Sequence, residues 1–204
     1  LVLTNIQDDS LDWTNGWKGR AQFVLIKQAA TIGDRGIEAD NNEANNDSTP
    51  RAQPILSNLT IIGRAGDSAT QGVLLRRGTG ANIWNSVITG SPTCLTIDGA
   101  ATFANAGAPG SLTGSLTIQN SFVNCAANFA DGDDATFTTS DWFLSQSGNV
   151  AGDSLLSGYL PAAGSPLTLG GAAVSDAFFT PVDYSGAFKD ANSDWTKEWT
   201  FPFN

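Results

Sequence analysis

A short alternating segment returns again and again along the first two thirds of this chain. It reads Ser10-Leu11-Asp12-Trp13-Thr14, Gly36-Ile37-Glu38-Ala39-Asp40, Gly72-Val73-Leu74-Leu75-Arg76, Cys94-Leu95-Thr96-Ile97-Asp98 and Ala126-Ala127-Asn128-Phe129-Ala130. Second and fourth positions are apolar, and third and fifth are mostly polar, which is the period of a β-strand. A second strand type falls between them: Phe23-Val24-Leu25-Ile26, Asn58-Leu59-Thr60-Ile61-Ile62-Gly63, Asn85-Ser86-Val87-Ile88-Thr89-Gly90 and Asn120-Ser121-Phe122-Val123-Asn124. The shortest spacings are about 22 to 27 residues, the length of one coil of a solenoid. One coil cannot bury its inward residues alone, so coils must stack. Stacking gathers Leu11, Ile37, Val73, Leu95 and Ala127 into one buried column, with Trp13 pointing inward beside it. The expected fold is therefore all-β, a parallel β-helix. Its coils occupy residues 1–130, and an irregular segment, 131–204, caps the same domain.

Longer spacings in the repeat fall at about 41–54 and 100–114, both rich in Asn, Asp, Ala, Gly and Pro, as surface loops are. Composition agrees with many short strands and turns: 22 of 204 residues are Gly and only 15% are charged. The aromatic residues of the last third include Trp142, Phe143, Phe178, Phe179, Tyr184, Phe188, Trp195, Trp199, Phe201 and Phe203. That concentration reads as a cap over the open end or against the flank, since a solenoid must hide its last coil. The other end reads differently. Leu1-Val2-Leu3-Thr4-Asn5-Ile6 is already a strand of the repeat. A chain beginning there, without Met, reads as a processed product whose open first coil can stack on another subunit.

A net charge of −10 sets nucleic acid aside as a partner. With no His in the chain, imidazole metal sites and Ser-His or Cys-His catalysis are excluded. No apolar run approaches the roughly 20 residues of a membrane helix, and no signal peptide is visible. The two cysteines, Cys94 and Cys125, fit no metal spacing. They are either a disulfide or two buried thiols.

Stacking also lines up the outward residues. Asp12, Glu38, Leu74, Thr96 and Asn128 form one column, and Thr14, Asp40, Arg76, Asp98 and Ala130 the next. Asp12, Glu38 and Asp40 should then cluster, with Arg76 between Asp40 and Asp98. This pattern has two readings. One is a cross-coil ladder of ion pairs. The other is a hard-cation site, in which Asp12, Glu38 and Asp40, with the Asn- and Asp-rich loop behind them, supply the oxygens Ca2+ requires. Asn46-Asp47-Ser48 and Asn58-Leu59-Thr60 match the glycosylation acceptor pattern, although Asn58 is sufficiently explained by a turn. Trp17 and Trp84 are the candidate surface rings for stacking on sugars, against a plainer role in packing turns.

Several stretches carry a family resemblance: Asp8-Asp9-Ser10-Leu11-Asp12-Trp13, Trp17-Lys18-Gly19-Arg20-Ala21-Gln22-Phe23, Gly33-Asp34-Arg35-Gly36-Ile37-Glu38-Ala39-Asp40-Asn41, Gly72-Val73-Leu74-Leu75-Arg76-Arg77-Gly78-Thr79 and Asp194-Trp195-Thr196-Lys197-Glu198-Trp199-Thr200. The chain resembles the pectate-lyase-like right-handed β-helix superfamily, and within it the C-terminal half of secreted or surface β-helical proteins and lipoproteins of environmental bacteria. The resemblance implies a right-handed coil and an extracellular or outer-surface location, where a Cys94–Cys125 bond is permitted. Proteins of that kind generally lack an assigned activity; the stacked architecture, the small polar surface and the open first coil point instead to a structural, adhesive or glycan-binding module, with extracellular polysaccharide or a further copy as partner. The alternative the resemblance implies is a Ca2+-dependent polysaccharide lyase, with Asp12, Glu38 and Asp40 on the metal and Arg76 or Arg77 as base, or another carbohydrate-active enzyme, such as a glycoside hydrolase using Glu38 with Asp12. The recognised lyase motifs are missing around those residues, and fold alone does not give function.

Overall fold

The computed structural model describes residues 1–66 and 70–200. In chain order the elements are β1 (Val2–Thr4), β2 (Leu11–Trp13), β3 (Arg20–Lys27), β4 (Arg35–Ala39), β5 (Ile55–Ile62), β6 (Gln71–Leu75), β7 (Ala81–Trp84), β8 (Val87–Thr89) and β9 (Thr93–Ile97). There follow α1 (Ala100–Ala106), β10 (Leu116–Gln119), β11 (Phe122–Asn124), β12 (Ala127–Asp131), α2 (Thr139–Leu144) and β13 (Val150–Ala151). The fold is a parallel β-helix. One sheet runs β2-β4-β6-β9-β12, and the other runs β1-β3-β5-β8-β11-β13, with β7 joining β5 to β10. Every pairing in these two sheets is parallel.

The second sheet is bent by one residue per coil. Phe23, Asn58, Asn85 and Asn120 take the left-handed conformation, with φ of 57°, 57°, 50° and 51°. Asn tolerates that region because its short polar side chain bonds locally. In β3 and β5 the bend falls inside one continuous strand; in later coils it separates β7 from β8 and β10 from β11. The bend gives each coil a third face, on which Ala21, Leu56, Ile83 and Ile118 point inward and stack in register, joined in the later coils by Ala81 and Leu116. Sequence alternation does not reveal this face.

Glycine opens two of the repeat segments for a steric reason. A Cβ on Gly36 would lie 2.6 Å from the Gly72 carbonyl oxygen and from Ile61 Cγ2, and one on Gly72 2.4 Å from Ile88 Cγ2. The coil closes too tightly there for any side chain.

The inward column Leu11–Ile37–Val73–Leu95 stacks as expected, but its last member is Phe129, not Ala127. The final coil is displaced by two residues. Ala127 lies opposite Thr93, Ala130 opposite Thr96, and Gly132 donates its N–H to Ile97, following the ladder. Asn128 and Ala130 therefore do not occupy the outward columns expected for them. The larger ring fills the slot above Leu95 and packs against Phe143, with ring centres 5.4 Å apart. Trp13 is buried in the core, and its indole N–H donates to Thr79 Oγ1 at 3.0 Å. The loop at 100–114 departs from expectation as well, because it carries α1, whose Thr102, Phe103 and Ala106 are buried.

Two separate pieces cover the solenoid. Helix α2 is capped by Thr138, whose side chain accepts from the Asp141 N–H, and it drives Trp142 and Phe143 fully into the main core at the last coil. The remaining tail, which includes a hairpin of β14 (Leu156–Ser157) and β15 (Leu160–Pro161), turns back along the flank. There Ala187 and Phe188 cover Leu25, and Leu167 covers Val87 and Phe122. The corner amides hold this strap. Asn58 donates to the carbonyls of Tyr184 and Gly186, Asn85 exchanges two hydrogen bonds with Ala172, and Asn120 donates to Gly170. Phe201 and Phe203, included in the expected cap, lie outside the described residues. Among the described residues no helix is long and apolar enough to cross a membrane.

Candidate functional site

The outward face of β2, β4 and β6 gathers the charged residues. Pairing sets Asp12 beside Glu38 and Glu38 beside Leu74, and at the strand ends Arg76 donates its backbone N–H to Ala39. Asp12 is exposed, whereas Glu38 and Asp40 retain only 8% and 5% of their accessible surface. Buried carboxylates need counter-charge, and here it is supplied by arginine.

Arg76 reaches Asp40 through Nε at 2.8 Å and also pairs with Glu38. Arg77 spans Asp40 at 2.6 Å and Glu43 at 2.9 Å. On the other side Arg35 takes the second oxygen of Glu38 at 3.0 Å, pairs with Asp34, and lies 3.7 Å from Asp9. Asp9 Oδ1 also accepts the Arg35 backbone N–H at 2.8 Å. The ladder thus links three coils. The ladder carries Arg76 between Asp40 and Asp98 as the columns suggested, but its side chain engages only one of them. Its guanidinium turns back to the coil that offers two carboxylates, while Asp98 accepts the backbone N–H of Asp133 and fixes a turn.

These contacts set the proton affinities. Burial is the largest influence on Glu38, whose pKa is pushed up to about 7. Asp9 and Asp40 raise it further, and Arg76 and Arg35 oppose them. Burial also raises Asp12, with the charge of Asp40 next, and raises Asp9 against the pull of Arg35. For Arg76, burial acts downward but is outweighed by its bond to Asp40 and by the charges of Asp40, Glu38 and Asp9, so its pKa is raised. Its carboxylate partners thus hold its proton, against the need of a catalytic base to release it.

Asp12, Thr14, Asn15, Glu38, Asp40, Asn42, Glu43, Ala44 and Arg77 line an open depression on this face. Among the described residues two groups of carboxylates approach one another within 4.8 Å: Asp8, Asp9 and Asp34 at the strand entrance, and Asp9, Asp12 and Glu38 on this face, so Asp40 is in neither. The group on this face does not suit Ca2+. Asp9 and Glu38 already accept from Arg35 and Arg76, and guanidinium groups so placed repel a second cation. Arg35 and Asp9 were not legible as site residues from the repeat columns. They fall two positions before Ile37 and Leu11, at the strand entrance, and extending the columns backwards would have found them.

Trp17, Trp84, Asn58 and the two cysteines take part in packing or bonding within the fold. Trp17 is 38% exposed, but its ring lies over Gly19 and 5.9 Å from that of Trp13. Trp84 is half-buried, opposite Ser57 and Gln119. Asn58 is fully buried, so its acceptor triplet is inaccessible in the folded chain. Cys94 and Cys125 form a disulfide, with Cα atoms 5.5 Å apart.

The family model described as a pectate-lyase-like beta helix domain matches residues 1–200. No curated protein matches the chain, and no solved structure does.

Proposed function

This chain belongs to the pectate-lyase-like beta helix domain family, and on that premise we propose that it is an extracellular or cell-surface structural or adhesive module and not a polysaccharide lyase. One observation carries the reading: Arg76 and Arg77, the residues a lyase would need as base, are committed to Glu38, Asp40 and Glu43. A guanidinium held by carboxylates is a fixed charge, and removing its proton would leave buried anions unpaired. The same pairs take the oxygens that would have to hold Ca2+. The extracellular part of the reading is supported by the Cys94–Cys125 bond, which belongs in an oxidising compartment.

The test is incubation of the purified chain with several polyuronates and Ca2+, followed by ultraviolet absorbance for unsaturated oligosaccharides. No product is expected, and Arg76→Ala should lower thermal stability without changing that result. Product from the wild type that disappears in Arg76→Ala would overturn the proposal and establish a lyase.

A further inference from the structure

We infer that Arg35, Arg76 and Arg77 stand where a metal ion would act on this face, so that its two buried carboxylates, Glu38 and Asp40, are neutralised from within the chain and the face folds independently of Ca2+. The inference does not rest on the absence of catalysis, since a chain inactive on polysaccharide can still require Ca2+ for its fold.

The geometry is that of a replaced cation. Glu38 and Asp40 are almost fully buried, and each is engaged through both carboxylate oxygens: Glu38 by Arg35 and Arg76, Asp40 by Arg76 and Arg77. Arg77 carries the network outward to Glu43, and Arg35 carries it back to Asp9 and Asp34. Of the three carboxylates that approach one another on this face, Asp9, Asp12 and Glu38, only Asp12 makes no side-chain hydrogen bond or ion pair among the described residues. Ca2+ takes six to eight oxygens, so it would have to displace at least two guanidiniums from buried anions to assemble a shell. An arginine fork makes directional bonds and is not lost by dilution or chelation, so it keeps the coils in register where an ion would be conditional.

The corollary is a latent site. Removing two guanidiniums while keeping the carboxylates leaves Asp12, Glu38, Asp40 and Glu43 in excess around one depression, and the face should then bind the cation that the native face refuses.

Thermal unfolding of the full chain in EDTA and in millimolar Ca2+, at matched ionic strength, tests both halves. The wild-type Tm is expected to move by less than about 1 °C. Arg76→Gln/Arg77→Gln is expected to melt lower in EDTA and to recover by roughly 2–4 °C or more in Ca2+. A wild type stabilised to that extent by Ca2+ would overturn the inference, and so would a folded double variant indifferent to Ca2+. Should the double variant fail to fold, Tb3+ titration of the wild type decides: absence of saturable binding supports the inference, and one-to-one binding that Glu38→Gln abolishes refutes it.

Discussion

Glu38 sits where burial and charge act against each other, and that makes it measurable. Its folded-state pKa of about 7 lies above the ordinary value of 4.5, with burial as the leading cause. Between those values the folded protein keeps a proton that the unfolded chain has released, so raising the pH through this window weakens the fold. Asp9 and Asp12 are shifted in the same direction. Asp176, Asp190 and Asp194 are shifted downward, and they act only below the ordinary carboxylate range. From about pH 5 to pH 8 the unfolding free energy in urea is expected to fall by about 1–2 kcal/mol, allowing for screening by solvent and the nearby guanidiniums. Glu38→Gln should remove most of that slope. Superimposable pH profiles for the two proteins would show that Glu38 titrates no differently in the folded and unfolded chains.

At the scale of strands, the sequence carried the stacking well and the register of the last coil badly, and the reason is the period itself. A slip of one residue would turn every side chain to the other face, so alternation forbids it. A slip of two preserves alternation, and Ala126-Ala127-Asn128-Phe129-Ala130 satisfies the pattern in either register. Only packing chooses, by setting Phe129 above Leu95 and against Phe143. The third face of each coil was illegible for another reason. Its strands are at most four residues long and contribute one or two inward residues apiece, Ala21, Leu56, Ala81 with Ile83, and Leu116 with Ile118, too few to show a period. The displaced coil is also the one joined by Cys94–Cys125, which closes a separation of 31 residues. Loop closure of that size stabilises by about 3–4 kcal/mol. Reduction of the folded protein is therefore expected to lower Tm by roughly 10 °C. A change below about 2 °C would mean that the last coil is held by Phe129, Trp142 and Phe143 alone.

For the molecule as a whole, the division of the C-terminal segment matters most. Its aromatic content announced a cover without saying which surface is covered, because end and flank ask for the same residue types. The structure uses both: α2 fills the end, and the strap lies along the corner amides. The strap is fastened by a stack in which Trp195 lies 5.2 Å from Phe188 and 6.0 Å from Trp199, and its indole N–H donates to the Ala187 carbonyl at 2.7 Å. Beneath it, the N–H of Ala187 donates to Thr60 and that of Gly186 to the Asn85 carbonyl. Strap and solenoid share few backbone bonds, whereas neighbouring coils are bonded along whole strands. The strap should therefore open as its own unit, below the free energy of global unfolding. Trp195→Ala removes both the stack and the indole bond. Amide exchange at Gly186 and Ala187 is expected to accelerate by roughly 10- to 100-fold, with Ile26, Ile61 and Ile88 unchanged. If the coil amides accelerated by the same factor, strap and helix would be one cooperative unit. The outer face of the second sheet, with Leu25, Val87 and Phe122, would then be as much a part of the core as the inner one.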